Sequence, residues 1–248
     1  MIAKIHLPGQ GVSTSTKNKF RKERFNIFIS MFRPGPHTTI LDVGGAATTW
    51  IGTGLESQVT LLNITKPKEC DRRMGFRVIQ CSGLEMKGIE DGEYDIVFSN
   101  SVIEHVGDLS NQMQFAREVR RVGKSYWIQT PNRYFPVEPH FRFPLFQFLP
   151  ATLQRHVATS WNYSHFKEFG IPDDRILAEL ADIRLLSESD FKSLFPDGSV
   201  FNERWMGLCK SLVAVKKPSA ILSQIRDLPQ YHQVNLPLKP EQLHRIAV

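Results

Sequence analysis

Five short apolar runs recur along the central part of the chain, and each is followed by polar or turn-forming residues. Their lengths and their β-branched and aromatic residues are typical of buried strands. Amphipathic or polar stretches lie between them, the clearest at 111–122 with apolar residues at helical spacing. Strands that alternate with helices predict a parallel, doubly wound sheet. The predicted strands are 38–43, 58–63, 76–80, 94–99 and 125–129, with further helices at 48–55 and 66–73.

The pattern changes in the last third of the chain. Helices are predicted at 176–183 and after Ser187, which caps the second one. Two more apolar runs, 200–205 and 211–216, are separated by a short Met206-Gly207 connection, which is typical of an antiparallel hairpin. The predicted fold class is therefore α/β, with a doubly wound, mostly parallel seven-stranded sheet that ends in an antiparallel hairpin.

An aromatic segment at 131–172 interrupts this order directly after the fifth predicted strand. It holds ten phenylalanine, tyrosine and tryptophan residues and is too long for a plain connection. Two interpretations stay open: a cap over a substrate, or a small structural subdomain or dimer contact. The predicted organisation is an N-terminal arm and helix at 1–36, a main domain at 37–217 that includes this cap insertion, and a tail at 218–248.

The net charge of +6 lies entirely within the first 34 residues, which hold seven lysines and arginines and one glutamate. The rest of the chain is neutral, so no nucleic-acid partner is expected. Phe25, Phe28 and Phe32 share one face of a helix predicted from Ser15 or Thr16. That helix either packs on the domain with its charges solvated, or covers a ligand or contacts an anionic membrane surface.

The three cysteines are widely spaced, which predicts neither a disulfide framework nor a zinc site, and no metal is expected. The chain shows no signal-peptide pattern and no apolar run of transmembrane length. These features predict a protein of the reducing cytoplasm.

The ends of the predicted strands supply the candidate binding site, because doubly wound sheets bind ligands outside the carboxyl ends of their strands. The first strand passes through Asp42 into a Gly44-Gly45 turn, where the backbone approaches a ligand closely. The helix predicted next would offer free N–H groups. Polar or turn-forming residues also follow the other strands, at Asn63, 81–83, 100–101 and 130–132.

Four segments resemble class I S-adenosylmethionine-dependent methyltransferases. ILDVGGAAT at 40–48 resembles the first motif of that family, and LLNIT at 61–65 resembles its second-strand motif. IEDGEYDIVFSNSVIEHV at 89–106 closely resembles the fourth-strand region of the type 11 small-molecule methyltransferases. YWIQTPNRYFPVEPHF at 126–141 is similar to bacterial members of glycan or lipid biosynthesis. The resemblance covers about 38–216 and implies a Rossmann-like methyltransferase fold with S-adenosyl-L-methionine as cofactor.

The resemblance also implies a cofactor role for ten residues. Asp42 would organise the turn of Gly44, Gly45 and Ala46, which passes under the methionine part of the cofactor. The ribose position falls on Asn63 and Ile64, the adenine position on Ser82 and Gly83, and the sulfonium end on Asn100 and Ser101.

Several positions depart from the family pattern. Ala46 and Thr48 replace glycines, and Asn63 and Ser82 replace carboxylates. Because charge-assisted hydrogen bonds are about twice as strong as neutral ones, these replacements weaken the predicted cofactor binding. An alternative is therefore a non-catalytic binding or assembly protein with a methyltransferase fold. A dinucleotide-dependent oxidoreductase needs G-x-G-x-x-G after the first strand, which this turn lacks.

The predicted function is methyl transfer to a small-molecule, sugar or lipid-linked acceptor, and a hydroxyl or ammonium acceptor needs a base. His105, in IEHV, and His140, in the aromatic segment, are the catalytic candidates, and each is alternatively a structural histidine. Tyr134 and Tyr163 are further candidates for hydrogen bonds to an acceptor. An oligomeric state and peripheral membrane contact through the basic helix or the aromatic segment stay open.

Overall fold

The computed structural model describes residues 15–66, 69–217 and 231–233. No helix within these ranges is long and apolar enough to cross a membrane. The strands are β1 (Ile40–Val43), β2 (Val59–Asn63), β3 (Arg77–Gln80), β4 (Tyr94–Asn100), β5 (Gly123–Pro131), β6 (Ser199–Trp205), β7 (Leu208–Lys216) and β8 (Tyr231–Gln233). The helices are α1 (Ser15–Phe32), α2 (Glu69–Arg73), α3 (Leu109–Val122), α4 (Ala151–Ser160), α5 (His165–Glu168), α6 (Asp173–Asp182) and α7 (Glu188–Leu194).

All eight strands form one sheet in the order β3-β2-β1-β4-β5-β7-β6-β8. Strands β1 to β5 pair in parallel, whereas β7 runs antiparallel to β5 and β6 runs antiparallel to β7. The predicted fold class is thereby confirmed. One further strand, β8, pairs with β6 inside the segment predicted as a loose tail, and the remainder of that tail lies outside the described residues, as does the arm before residue 15.

Apolar side chains fill both faces of the sheet because neighbouring residues of a strand point to opposite sides. On β4, Val97 packs into the cluster that also holds Phe115 of α3, whereas Ile96 and Phe98 pack into the opposite cluster. Helix α1 covers that second face, where Phe28 is fully buried against an aromatic group. Ring contacts link Phe28 to Trp50, Phe98 and Trp127.

The helix predicted at 48–55 is wrong. A single 3-10 turn, Ala47–Thr49, follows the glycine turn instead. The chain then turns twice through Gly52 and Gly54, whose φ angles of 80° and 77° belong to the left-handed region. Glycine and β-branched threonine are poor helix formers, and the buried ring of Trp50 anchors the segment to the core. The site therefore has no α-helix N-terminus directly after β1.

The aromatic segment 131–172 contains α4 and α5 and has a small core of its own. Phe141, Phe146 and Phe166 are buried there with Ile176 of α6. The stacked rings of Phe141 and Phe146 have centroids 4.1 Å apart. The segment has its own core and also reaches the carboxyl edge of the sheet through His140, so both interpretations stay open.

Candidate active site

A cavity of about 420 Å³ opens at the carboxyl ends of β1 to β4, where the sheet order predicts a ligand. Its walls come from the loops after these four strands and from α3 and α6. The lining residues are Val43, Gly44, Leu62, Asn63, Ile64, Cys81, Ser82, Gly83, Leu84, Val102, His105, Val106, Gly107, Asn111, Phe115, Glu179 and Asp182.

The glycine turn forms one wall of this cavity. Gly44 has a φ of 71°, which favours glycine, and its backbone N–H donates to the carbonyl of Leu62 at 2.7 Å. At Gly45, a Cβ atom would overlap the carboxylate of Asp42. The turn therefore requires Gly44 for its positive φ angle and Gly45 for its lack of a Cβ atom.

Two side chains hold the turn in place. Asp42 is 1% exposed, and its carboxylate accepts a hydrogen bond from Nε1 of Trp50 at 2.7 Å. Asn63 donates its side-chain amide to the carbonyl of Gly45 at 2.9 Å. Asn63 thus joins the end of β2 to the turn after β1 while it lines the cavity.

The ten residues predicted to bind cofactor divide into two groups of five. Asp42 lies buried beneath the turn, Gly45 and Ala46 continue it, and Asn100 and Ser101 bond to residues of the neighbouring strand and α1. None of these five is among the residues that line the cavity. The five that do line it are Gly44, Asn63, Ile64, Ser82 and Gly83.

Arg24 of α1 lies at the carboxyl edge of the sheet and is not among the residues that line this cavity. Its guanidinium donates to Oδ1 of Asn100 at 2.5 Å and to Oε1 of Gln129 at 2.9 Å. It also forms a two-point ion pair with the buried carboxylate of Glu203, with distances of 3.2 Å and 2.8 Å. Arg24 is only 8% exposed, so it anchors α1 across the ends of β4, β5 and β6. Sequence reasoning counted it as one charge of a basic helix.

The two predicted catalytic histidines lie together. His105 stands in a 3-10 turn, Ile103–His105, after β4 and lines the cavity. His140 arrives from the aromatic segment, and the two Nε2 atoms are 3.0 Å apart. The Nδ1 atom of His140 bonds to Oε1 of Glu138 at 2.5 Å. Glu138 was not predicted, although it stands two residues before His140 in the same motif.

Glu104 is a second buried carboxylate near the two histidines, in addition to Glu138. It is 0% exposed, and its Oε2 atom accepts a hydrogen bond from the hydroxyl of Thr130 at 3.0 Å. One ligating atom each from Glu104, His105 and His140 lie within 4.8 Å of one another. The sequence did not predict this group, because Glu104 and His105 lie in a different segment from His140. Only the fold brings the two segments together.

Helix α6 adds two carboxylates to the cavity wall, Glu179 and Asp182, which the sequence patterns did not indicate. Burial raises the pKa of Asp182 above its usual value. Carboxylates in a cavity attract cationic ligands. The cavity therefore has carboxylates from α6, whereas the positions of Asn63 and Ser82 are neutral.

Comparison with known proteins gives a family match for the central part of the chain. Residues 41–126 match the family model described as "Methyltransferase domain". A solved Pyrococcus horikoshii protein, PH0226, aligns with a TM-score of 0.51 at 13% identity, covering 82% of this chain and 92% of that chain. A Burkholderia thailandensis 1,6-didemethyltoxoflavin-N1-methyltransferase with bound S-adenosylhomocysteine gives a TM-score of 0.49 at 15% identity, covering 82% and 80%.

An uncharacterised Mycobacterium tuberculosis protein is 36% identical over 70 residues, which cover 27% of this chain and 24% of that protein. The chain thus spans about a quarter of the length of the curated relatives that it matches.

The sheet order and the structural match define the fold, which is that of the class I S-adenosylmethionine-dependent methyltransferases, proteins whose cofactor is S-adenosylmethionine. Residues 41–126 match the methyltransferase-domain family model. The resemblance to class I methyltransferases is thereby confirmed, whereas the similarity of 126–141 to members of glycan or lipid biosynthesis stays a prediction.

Proposed function

We propose that this protein transfers a methyl group to a hydroxyl or amine of a small-molecule, sugar or lipid-linked acceptor. S-adenosylmethionine supplies an activated methyl group, which moves to the acceptor lone pair as the bond to sulfur breaks. The observation that carries the proposal is the cavity at the carboxyl ends of β1 to β4. Most of its lining residues belong to the family-matched part of the chain, and the predicted catalytic pair His105 and His140 adjoins it.

The residues present fit the cofactor. Gly44 and Gly45 keep the turn free of side-chain atoms, and a Cβ at Gly83 would press on Val43 and Phe115 at 3.1 Å. The methionine part would rest on this turn, the ribose beside Asn63 and Ile64, and the adenine beside Ser82 and Gly83. The cavity volume of about 420 Å³ is in the range of small-molecule sites.

His105 and His140 would activate the acceptor. His105 reaches the cavity, and His140 supports it from the aromatic segment, with Glu138 fixing the orientation of the second ring. The acceptor would therefore enter between the loop after β4 and the aromatic segment. Tyr134 and Tyr163 are largely exposed, which makes them weaker candidates for acceptor contacts.

Calorimetric titration of the full chain with S-adenosylhomocysteine tests the cofactor half of this function. We expect saturable binding, followed by methyl transfer from S-adenosylmethionine to at least one member of a panel of hydroxyl and amine acceptors. Absence of heat and of a thermal shift at millimolar ligand would contradict it.

A non-catalytic methyltransferase-fold protein is the second candidate. It is favoured by Asn63, because a neutral amide at this position replaces a ribose-binding carboxylate and already bonds to Gly45. Such a protein would bind S-adenosylhomocysteine weakly or not at all and would turn over no acceptor. Multiple turnovers with any acceptor would exclude it.

A further inference from the structure

Glu104, His105 and His140 form a compact group of metal-ligating side chains beside the cavity. Two of them are consecutive residues after β4, and the third comes from a segment 35 residues further along the chain. The Nε2 atoms of the histidines are 3.0 Å apart, and one carboxylate oxygen lies within 4.8 Å of both. Ligand atoms bound to one first-row metal ion at about 2.0–2.2 Å lie at comparable separations from one another.

Outer hydrogen bonds orient these side chains. The carboxylate of Glu138 bonds to Nδ1 of His140 at 2.5 Å and accepts the backbone N–H groups of His140 and Phe141 at 2.7 Å and 2.6 Å. The proton of a neutral His140 ring is therefore held on Nδ1, and the lone pair of Nε2 points toward His105. A carboxylate behind a ligating histidine is the common outer arrangement of metal sites. Thr130 fixes the carboxylate of Glu104 in the same way.

Charge favours a cation at this place. Glu104 and Glu138 are 0% and 2% exposed, so two carboxylates are withdrawn from water within one small group. Because charges interact more strongly where the dielectric constant is low, these buried carboxylates attract a cation to the group. Two imidazoles and one carboxylate form the ligand set of several catalytic zinc sites and of other divalent first-row metal sites.

We propose that Glu104, His105 and His140 bind a divalent first-row transition-metal ion, with an open coordination position toward the cavity. This differs from the expectation of no metal, which rested on cysteine spacing. If the proposed methyl transfer holds, the open position takes the acceptor hydroxyl. A bound metal lowers the pKa of that hydroxyl. The O–H proton passes to water, and the oxygen attacks the methyl carbon as the bond to sulfur breaks. The acceptor class is therefore a hydroxyl compound that binds through its oxygen.

Titration of the chelator-treated full chain with Co²⁺, followed by visible absorption and by competition with Zn²⁺, tests the site directly. We expect one Co²⁺ per chain in the wild type. His140→Ala and Glu104→Gln should each weaken binding at least 100-fold, and Glu138→Gln should weaken it 10- to 100-fold through the outer hydrogen bond. His156→Ala, which removes an exposed histidine of α4, is the matched control and should leave binding unchanged. Circular dichroism would confirm that each variant is folded.

Two results would overturn the metal site: no binding of Co²⁺ or Zn²⁺ by the wild type up to about 1 mM, or binding that folded His140→Ala and Glu104→Gln retain. Calorimetry with S-adenosylhomocysteine separates this outcome from failure of the proposed function. Cofactor binding without metal binding would refute the metal site alone. Metal binding that these variants abolish, without cofactor binding, would support the site and refute the proposed methyl transfer.

Discussion

Gly45 shows at the scale of single residues how the turn after β1 is built. A side chain at this position would overlap the carboxylate of Asp42, which is itself held by Trp50. We expect Gly45→Ala to displace the turn and to weaken S-adenosylhomocysteine binding at least about tenfold, or 1.4 kcal/mol, by calorimetry. Gly35→Ala is the control, because no atom lies within 4 Å of a Cβ there. Equal affinities for both variants would show that the turn is not the binding site.

The pKa of Asp197 predicts how the stability of the fold depends on pH. Burial by itself raises its pKa, but hydrogen bonds from Lys216 and Tyr126 and the charge of Arg120 outweigh burial, so the pKa lies below its usual value. A carboxyl group with a lowered pKa stabilises the fold fully above its unfolded pKa of about 3.9 and loses this effect as pH falls through the folded pKa.

We therefore expect Asp197→Asn to be less stable than wild type at pH 7, with the difference shrinking below about pH 4. Urea unfolding at both pH values measures this. A difference that stays constant or grows on acidification would contradict the assignment of Asp197. Asp91→Asn is a suitable comparison, because Asp91 is an exposed carboxylate paired with Arg121.

Sequence reasoning found the residues that local motifs mark and missed those that only the fold brings together. His105 and His140 were selected from separate segments, and their contact agrees with that choice. Glu104 and Glu138 were overlooked, since a carboxylate in a polar segment carries no sign that it will be buried. Asn63 lines the cavity and its ribose contact stays a prediction, whereas its bond to Gly45 depends on the register between β1 and β2.

At the scale of elements, α1 is tied to the sheet by Arg24 and not only by its aromatic face. The guanidinium makes four hydrogen bonds, two of them to the buried carboxylate of Glu203. We expect Arg24→Met to lower the free energy of unfolding by about 3 kcal/mol, because it breaks a buried ion pair. The exposed Lys22→Met should change it by less than about 0.5 kcal/mol.

Urea unfolding of both variants tests this anchor. Removing both charges in Arg24→Met/Glu203→Leu should recover part of the loss, since the carboxylate no longer stands buried without the guanidinium. An Arg24→Met protein as stable as Lys22→Met would mean that α1 is held by its apolar face alone.

The boundaries of most helices and strands followed from the sequence, whereas the segment after the glycine turn did not. Periodicity located α3, whose N-cap Asp108 accepts the backbone N–H of Asn111. It failed at 48–55, because the buried ring of Trp50 and two glycines in the left-handed region override a weak helical pattern. Tertiary packing decides such short stretches.

At the scale of the whole molecule, the sheet order was predictable because alternating strands and helices leave few topologies open. The strand β8 was not predicted, since the sequence from Pro218 onward has no clear apolar period. The position of the cavity at the carboxyl edge follows from the topology alone. Its volume and the carboxylates from α6 required the structure.

Peripheral membrane contact was considered for the basic helix or the aromatic segment, and an exposed hairpin adjoins both of them. The hairpin tip after β6 exposes Trp205, Met206 and Leu208, with Met206 82% exposed. The ring of Trp205 contacts Phe135 of the aromatic segment, and Lys210 on the same hairpin lies over Phe20 of the basic helix α1. Aromatic and basic groups side by side are typical of surfaces that bind anionic bilayers.

We expect the full chain to co-sediment with vesicles of mixed neutral and anionic phospholipid, and the double variant Trp205→Ser/Met206→Ser to bind them at least about fivefold less well. Met74→Ser, which removes an exposed methionine after α2, is the control and should bind like wild type. Absence of sedimentation by the wild type would refute membrane contact without affecting the proposed chemistry.

A crystal structure of the chain soaked with S-adenosylhomocysteine tests the central claim most directly. We predict that the ligand occupies the cavity at the carboxyl ends of β1 to β4, with its adenine beside Ser82 and Gly83 and its sulfur directed toward His105. Ligand bound at the opposite edge of the sheet, or an empty cavity in crystals grown at saturating ligand, would contradict the assignment.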